Sequence, residues 1–416
     1  MGSDNTDDAL LNQTWQKQMA SALKTYEDFE PYFDRLGASE QEKDQVKTVL
    51  KNNPTRLPHA YLEDLLWSIE TEEYYPILDD NPYTSRNKDK ERSQIKTFIL
   101  PKTDSPIWQT AIERSLVSDE RKENAQEIKT TQAATFLHGE DEYDCDILLG
   151  WTQKYEDRGL LSPMFSCMGH CQWCFRHMGD QYIGDDNLEK IFHHIQKSKR
   201  IRDVILTGGE PLTLSNKKVA EILERLRKIN HVKNIRWHIR APVFIPERFD
   251  NELLEIWRQY HAPGKPMVAI TQFIHPNEMS VRCQEACYAI VTRAGVPLFN
   301  QAPILKDVND DQETYDKWQQ VLFENHVKPY YHIATIIADG HNSRFYVPPE
   351  KCLELYYAYR SRHDGLGAGS VIVPYMGDKI SAQELTETMI KGGFYFRRTK
   401  KQILSDPKRK QCHSST

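Results

Sequence analysis

Two patterns of apolar and polar positions succeed one another along the chain. In DDALLNQTWQKQMASALKTYEDF and PHAYLEDLLWSIE, apolar residues recur at helical spacing between polar ones, the mark of helices with one buried face. Residues 1 to 140 are therefore expected to form a helical N-terminal region, interrupted by a loop at DDNPYTSRNK and by the charged run SDERKENAQE, a solvated helix face or linker. From about residue 159 the period changes. Short apolar runs (GLLSPMF, DVILT, NIRWHIR, MVAITQF, VPLFNQ, KPYYHIATI) alternate with amphipathic stretches (DNLEKIFHHIQK, SNKKVAEILERLRKI, PERFDNELLEIWRQY, CQEACYAIVTRAG, DDQETYDKWQQVLFEN, PPEKCLELYYAYRSR), giving six strand–helix units. Ser215 is placed to cap the helix whose face is Val219, Ile222, Leu223 and Leu226. Repeated βα units predict a parallel sheet with right-handed crossovers, and six are too few to close an eight-stranded barrel. The expected fold is α/β, an open partial (β/α)6 barrel over residues 141–375, preceded by the helical region and followed by a C-terminal segment, 376–416, with a basic tail. Ligands of such sheets bind at the carboxyl ends of the strands.

Composition narrows the class. A chain of 416 residues with 39% hydrophobic content can bury one large core and support an accessory region. Net charge −6 gives no general pull toward nucleic acid, and the tail RRTKKQILSDPKRK reads as a solvated end. No apolar run reaches membrane-spanning length, and the polar start lacks the apolar core of a secretion signal. A soluble cytoplasmic protein is expected. MGSDNT and Asn12-Gln13-Thr14 match lipidation and glycosylation patterns short enough to arise by chance.

Candidate chemistry concentrates in SCMGHCQWCFRH, where Cys167, Cys171 and Cys174 lie close together with Trp173 beside the third. Three such thiolates can hold three irons of a [4Fe–4S] cluster and leave the fourth iron open. An open iron suits the amino and carboxylate groups of S-adenosylmethionine (SAM), whose reductive cleavage yields a 5′-deoxyadenosyl radical. The bland alternative is structural thiols or three zinc ligands. DVILTGGEPLTLS, one βα unit later, favours the cluster: Gly208 and Gly209 permit close backbone approach to a ligand, and Glu210 offers an anion for an ammonium group. Cys145, Cys352 and Cys412 stand apart. Cys283 and Cys287, four apart on a helix, are expected to be core residues, and His193 and His194 packing or surface residues.

From about Gly150 to Val347 the chain resembles the lysine 2,3-aminomutase family of radical SAM enzymes, through GWTQKYEDRGLL, CMGHCQWCFR, DVILTGGEPL, RAPVFIPERF, TQFIHPNE, AGVPLFNQAPILKDVND and KPYY. The resemblance implies that Cys167, Cys171 and Cys174 bind the cluster and that Gly208, Gly209, Glu210 and Gln301 line the SAM site. It also implies that Arg176 pairs with a substrate carboxylate, that Arg158 is another active-site arginine, and that pyridoxal 5′-phosphate (PLP) is held covalently on a lysine. Lys379, roughly two hundred residues beyond the cysteines, is the candidate, although the family's glycine run has shrunk to Gly377. The acidic residues that hold lysine's distal ammonium are missing from HIATII and SVIVPY, so the substrate expected is another amino acid or related metabolite. Gln272 stands where the family has a histidine, and the cysteine-rich C-terminal zinc pattern is absent, so metal-bridged oligomers do not carry over, while a homo-oligomer stays open. A reductant such as flavodoxin or ferredoxin is implied. Three readings remain: a PLP-dependent aminomutase, a PLP-independent enzyme of the same fold catalysing dehydrogenation, epimerisation or decarboxylation, and a non-catalytic iron–sulfur or zinc protein.

Overall fold

The structure is a computed structural model that describes residues 14–51, 55–71, 87–102, 105, 148–174, 182–334, 344–363, 365–375 and 378–381, with backbone alone at 154, 374–375 and 378–380. Its centre is a nine-stranded sheet whose strands lie in sequence order: β1 (Trp151–Tyr155), β2 (Arg158–Met164), β3 (Asp203–Gly208), β4 (Asn234–His238), β5 (Met267–Thr271), β6 (Leu298–Ile304), β7 (Val327–Ala334), β8 (Ser370–Tyr375) and β9 (Asp378–Ser381). Strands β2 to β8 are parallel, and β1 and β9 pair antiparallel at the two edges. The six expected βα units are present, and SVIVPY adds a seventh parallel strand.

Pairing register explains which side chains face the helices. Leu161, Leu206, Trp237, Ala269, Leu298 and Val327 stand opposite one another across six strands, each at most 2% exposed. Burying such a row contributes about 1.5–3 kcal/mol per large side chain. Trp237 stacks on Trp257, ring centroids 5.3 Å apart, so this face meets the helices. Alternation then turns Arg236 and His238, both half-buried, to the opposite, concave face. The crossover helices pack as their periodicity predicts: in Asn216–Lys228, Ser215 accepts from the Lys218 amide at 3.3 Å, and Val219, Ile222, Leu223 and Leu226 are buried.

Before the sheet come helices α1 (Glu40–Leu50), α2 (His59–Glu70) and α3 (Lys88–Ile99). The expected helix through TWQKQMASALKTYEDF is broken: after Trp15–Ala20 the chain straightens so that Leu23 pairs with Leu57 through backbone bonds of 2.8 and 3.1 Å. The N-terminal helices share one apolar core with the barrel. Polar bonds join them to the segments that follow the carboxyl ends of β5 and β6: Arg282 to Asp64 at 2.7 Å, Asn277 to Ser68 at 2.9 Å, and Lys90 to Asp311 at 2.6 Å. No helix among the described residues is long and apolar enough to cross a membrane.

Candidate functional site

The cysteine loop leaves the carboxyl end of β2 and lies directly against the end of β3. The amide of Gly209 donates to the Met164 carbonyl at 3.0 Å, and that of Glu210 to the Ser166 carbonyl at 2.7 Å. A Cβ on Gly209 would stand 2.3 Å from the Ser166 oxygen and 2.4 Å from that of Phe165. Gly208, at φ +116°, would meet the Met164 oxygen at 2.5 Å. Both positions therefore require glycine, and the close neighbour that demands it is the cysteine loop itself.

Glu210 is met by three backbone amides. Its Oε2 accepts from the amides of Arg240 (2.6 Å) and Ala241 (2.9 Å), and its Oε1 from Leu212 (3.1 Å). The carboxylate thus ties the end of β3 to the end of β4. Burial pushes its pKa up to about 7 against these bonds.

The loop is also held from the N-terminal side. One guanidinium nitrogen of Arg56 donates to the Ser166 hydroxyl and the Cys167 carbonyl, both at 2.9 Å, and the Arg56 carbonyl accepts from the His170 amide at 2.7 Å. None of the described cysteines is in a disulfide. Burial pushes the Cys167 thiol well up, and Cys174 and Cys171 push it further, so the three thiols share one environment. Cys171 is raised by burial and opposed by Arg240, which donates to its Sγ at 2.7 Å. Among the described residues no three His, Cys, Asp or Glu side chains converge as a single metal ion would need, whereas a four-iron cluster takes one thiolate on each of three different irons. The donor set fits a cluster: three thiols, a guanidinium beside one of them, and a buried Arg240 Nε with no partner.

Arg240, Glu278, Tyr61 and Arg56 were not singled out from sequence. The first two lie within RAPVFIPERF and TQFIHPNE, and for Arg240 a charge just after an apolar strand is a usable signal. Tyr61 and Arg56 reach the site from a helix layer more than a hundred residues upstream of the loop, and nothing local marks them.

The structure separates other candidates from the loop. Arg158 opens β2 and bonds Asp157 at 3.0 Å; six residues from Met164, it lies about 20 Å from the loop's start, at the opposite end of the barrel. There it shares the concave face with Arg236, paired to buried Asp203, and with Tyr330, pushed up to about 12 by burial and by Tyr331, with Arg236 and Arg158 pulling down. Because Tyr330 is on β7 and Arg158 on β2, the sheet curls enough to face its two flanks across a lumen. Gln301, half-buried on β6 between buried Asn300 and Ala302, faces the same space. Lys379 lies on edge strand β9 opposite Pro374, its side chain outside the described residues, as is all of Arg176. Cys283 and Cys287 are buried core thiols, and His194 packs edge-on against Trp151.

Residues 161–316 match the Radical SAM superfamily. A putative L-lysine 2,3-aminomutase of Aquifex aeolicus is 34% identical over 281 residues, 66% of this chain and 71% of that protein. The L-lysine 2,3-aminomutase of Fusobacterium nucleatum is 28% identical over 376 residues, 89% and 76% of the two chains. The glutamate 2,3-aminomutase of Clostridioides difficile is 30% identical over 226 residues, 53% and 52%.

Proposed function

Because the chain belongs to the lysine 2,3-aminomutase family of radical SAM proteins, which implies a [4Fe–4S] cluster and SAM, we propose that it is an aminomutase exchanging an amino group and a hydrogen between adjacent carbons of an amino acid or related metabolite. The observation that carries this reading is the trio Cys167, Cys171 and Cys174 on a loop seated by Gly208 and Gly209 at the carboxyl end of a curved parallel sheet.

Each cysteine holds one iron. The backbone of Gly208, Gly209 and Glu210, together with Gln301, lines the SAM site, and the three amides on the Glu210 carboxylate keep that turn in place. Arg176 takes the substrate carboxylate as a bidentate fork. Arg158 and Arg236 suit an anionic phosphate at the other end of the lumen, and Lys379 holds PLP. When bound, the cluster and SAM supply a carbon radical that abstracts hydrogen, and PLP supplies a conjugated ring over which nitrogen migrates. Ile205 and Ile270, both nearly buried on the concave face, help keep water out. The described residues of β7 and β8 carry no carboxylate, which supports a substrate without a distal ammonium. A one-electron carrier such as flavodoxin or ferredoxin in a reducing cytoplasm completes the reading.

Anaerobic incubation with SAM, dithionite and candidate amino acids tests it, with release of 5′-deoxyadenosine and a rearranged amine expected. Borohydride reduction with PLP, followed by peptide mass spectrometry, is expected to label Lys379. An unlabelled Lys379 in protein that cleaves SAM moves the reading to a PLP-independent reaction, and no SAM cleavage by a reconstituted cluster overturns both.

A further inference from the structure

We propose that Arg240 tunes the cluster: fixed by Glu278 and Tyr61, its guanidinium hydrogen-bonds the Cys171 sulfur and raises the reduction potential of the irons that this thiolate helps hold. The inference rests on the cluster assignment above and adds a role for a residue outside the cysteine and glycine motifs.

The geometry is specific. Arg240 is 7% exposed, Glu278 2% and Tyr61 3%. The guanidinium carbon lies 4.6 Å from the Trp173 ring and 4.4 Å from the Phe244 ring, so two aromatic rings hold the planar group, and its Nη1 donates to Cys171 Sγ at 2.7 Å. The other terminal nitrogen, Nη2, pairs with Glu278 Oε1. Glu278 is in turn saturated: its Oε1 accepts from the Tyr61 hydroxyl at 2.5 Å and its Oε2 from the Ile274 amide at 2.6 Å. Tyr61 belongs to α2 and packs edge-on against Phe244, centroids 5.0 Å apart. A chain of polar contacts thus runs from the N-terminal helices through Glu278 and Arg240 to one cluster ligand.

Such an arrangement is costly as a mere structural pair, since burying two charges is repaid only when every remaining donor and acceptor is satisfied. Arg240 Nε has no partner among the described residues, so the pair is not built for stability alone. Its chemical consequence follows from charge. Reduction adds one electron, delivered by the external donor, to a cluster already carrying thiolate charge. A hydrogen bond and a full positive charge at one ligand sulfur favour the more negative, reduced state. Glu278 lies on the other terminal nitrogen of the guanidinium, so the pair presents its positive end to the sulfur. The N-terminal region thereby acts on redox chemistry through Tyr61 without touching substrate.

The test is an EPR-monitored redox titration of the full-length protein, reconstituted anaerobically with iron and sulfide, together with iron and sulfide assays. Arg240→Gln is expected to keep the wild-type iron content and shift the midpoint to more negative potential. Arg240→Lys, which keeps the charge, is expected to recover most of the shift, and Tyr61→Phe to give a smaller shift in the same direction. A full cluster at an unchanged midpoint in Arg240→Gln overturns the proposal. Loss of the cluster from both Arg240 variants also overturns it, because Arg240 would then be needed for assembly rather than tuning. A wild-type protein that takes up no cluster at all fails the assignment of function instead, and this inference with it.

Discussion

The two ends of the barrel carry two polar networks built on opposite plans. At the carboxyl ends of the strands, Glu210, Arg240, Glu278 and Tyr61 are buried, and their carboxylates are filled by amides, a guanidinium and a hydroxyl. At the amino ends, Arg158 has a side chain 36% exposed, Arg236 is half-buried, and Tyr330 is partly open to the lumen. The first network is preorganised around a loop that must hold thiols at fixed separations. The second pairs its arginines with Asp203 and Asp157 and leaves them closer to solvent, an arrangement that the proposed function assigns to a small anionic ligand. On the proposed function, substitutions at the first end are expected to disturb cluster assembly and redox chemistry, and those at the second ligand retention.

The largest expected effect is at the first end. Cys171→Ala leaves two thiolates for three irons and is expected to abolish both cluster content and SAM cleavage, read by iron assay and 5′-deoxyadenosine release. Gly209→Ala forces a methyl group onto the Ser166 and Phe165 carbonyls and is expected to cost about 1–3 kcal/mol in urea unfolding, with reduced cluster uptake. At the second end, Arg236→Ala is expected to leave cluster content and SAM cleavage intact while weakening PLP retention several-fold in equilibrium dialysis. Loss of the cluster in that variant would erase the distinction between the ends. A separate effect, on stability rather than on the chemistry of either end, is one of pH on the scaffold. Burial holds the imidazoles of His275 and His332 down at about 3, against an ordinary 6.5. The unfolded chain takes up protons below 6.5 that the folded one refuses, so unfolding free energy is expected to fall as pH drops from 6.5 toward 3. A flat profile over that window, with His332→Gln equally flat, would remove the buried imidazoles from the ledger of stability.

How much of this was legible beforehand depends on range along the chain. Helical and strand periods foretold the βα alternation, the Ser215 cap and the buried face of its helix, because those are set by neighbours three or four residues away. The position of the cysteine loop at a strand's carboxyl end followed from the same alternation. The break at Ser21 was hidden, since Leu23 is captured by Leu57 rather than by anything local. The partners of Glu210 were hidden for a related reason: beside two glycines it suggests a ligand, and two of the three amides that its carboxylate accepts from lie thirty residues downstream. The role of Arg240 appears only when β4, the Pro276–Glu278 turn and α2 are brought together, which no spacing in the sequence encodes.

The central claim is that three cysteines hold a cluster with one iron open to SAM. Low-temperature EPR of the reconstituted, dithionite-reduced protein, recorded with and without SAM, tests it most directly. The account predicts a reduced [4Fe–4S] signal whose g-values change on adding SAM and which is missing from Cys171→Ala. A reduced cluster with a spectrum indifferent to SAM, or one retained in Cys171→Ala, would contradict it.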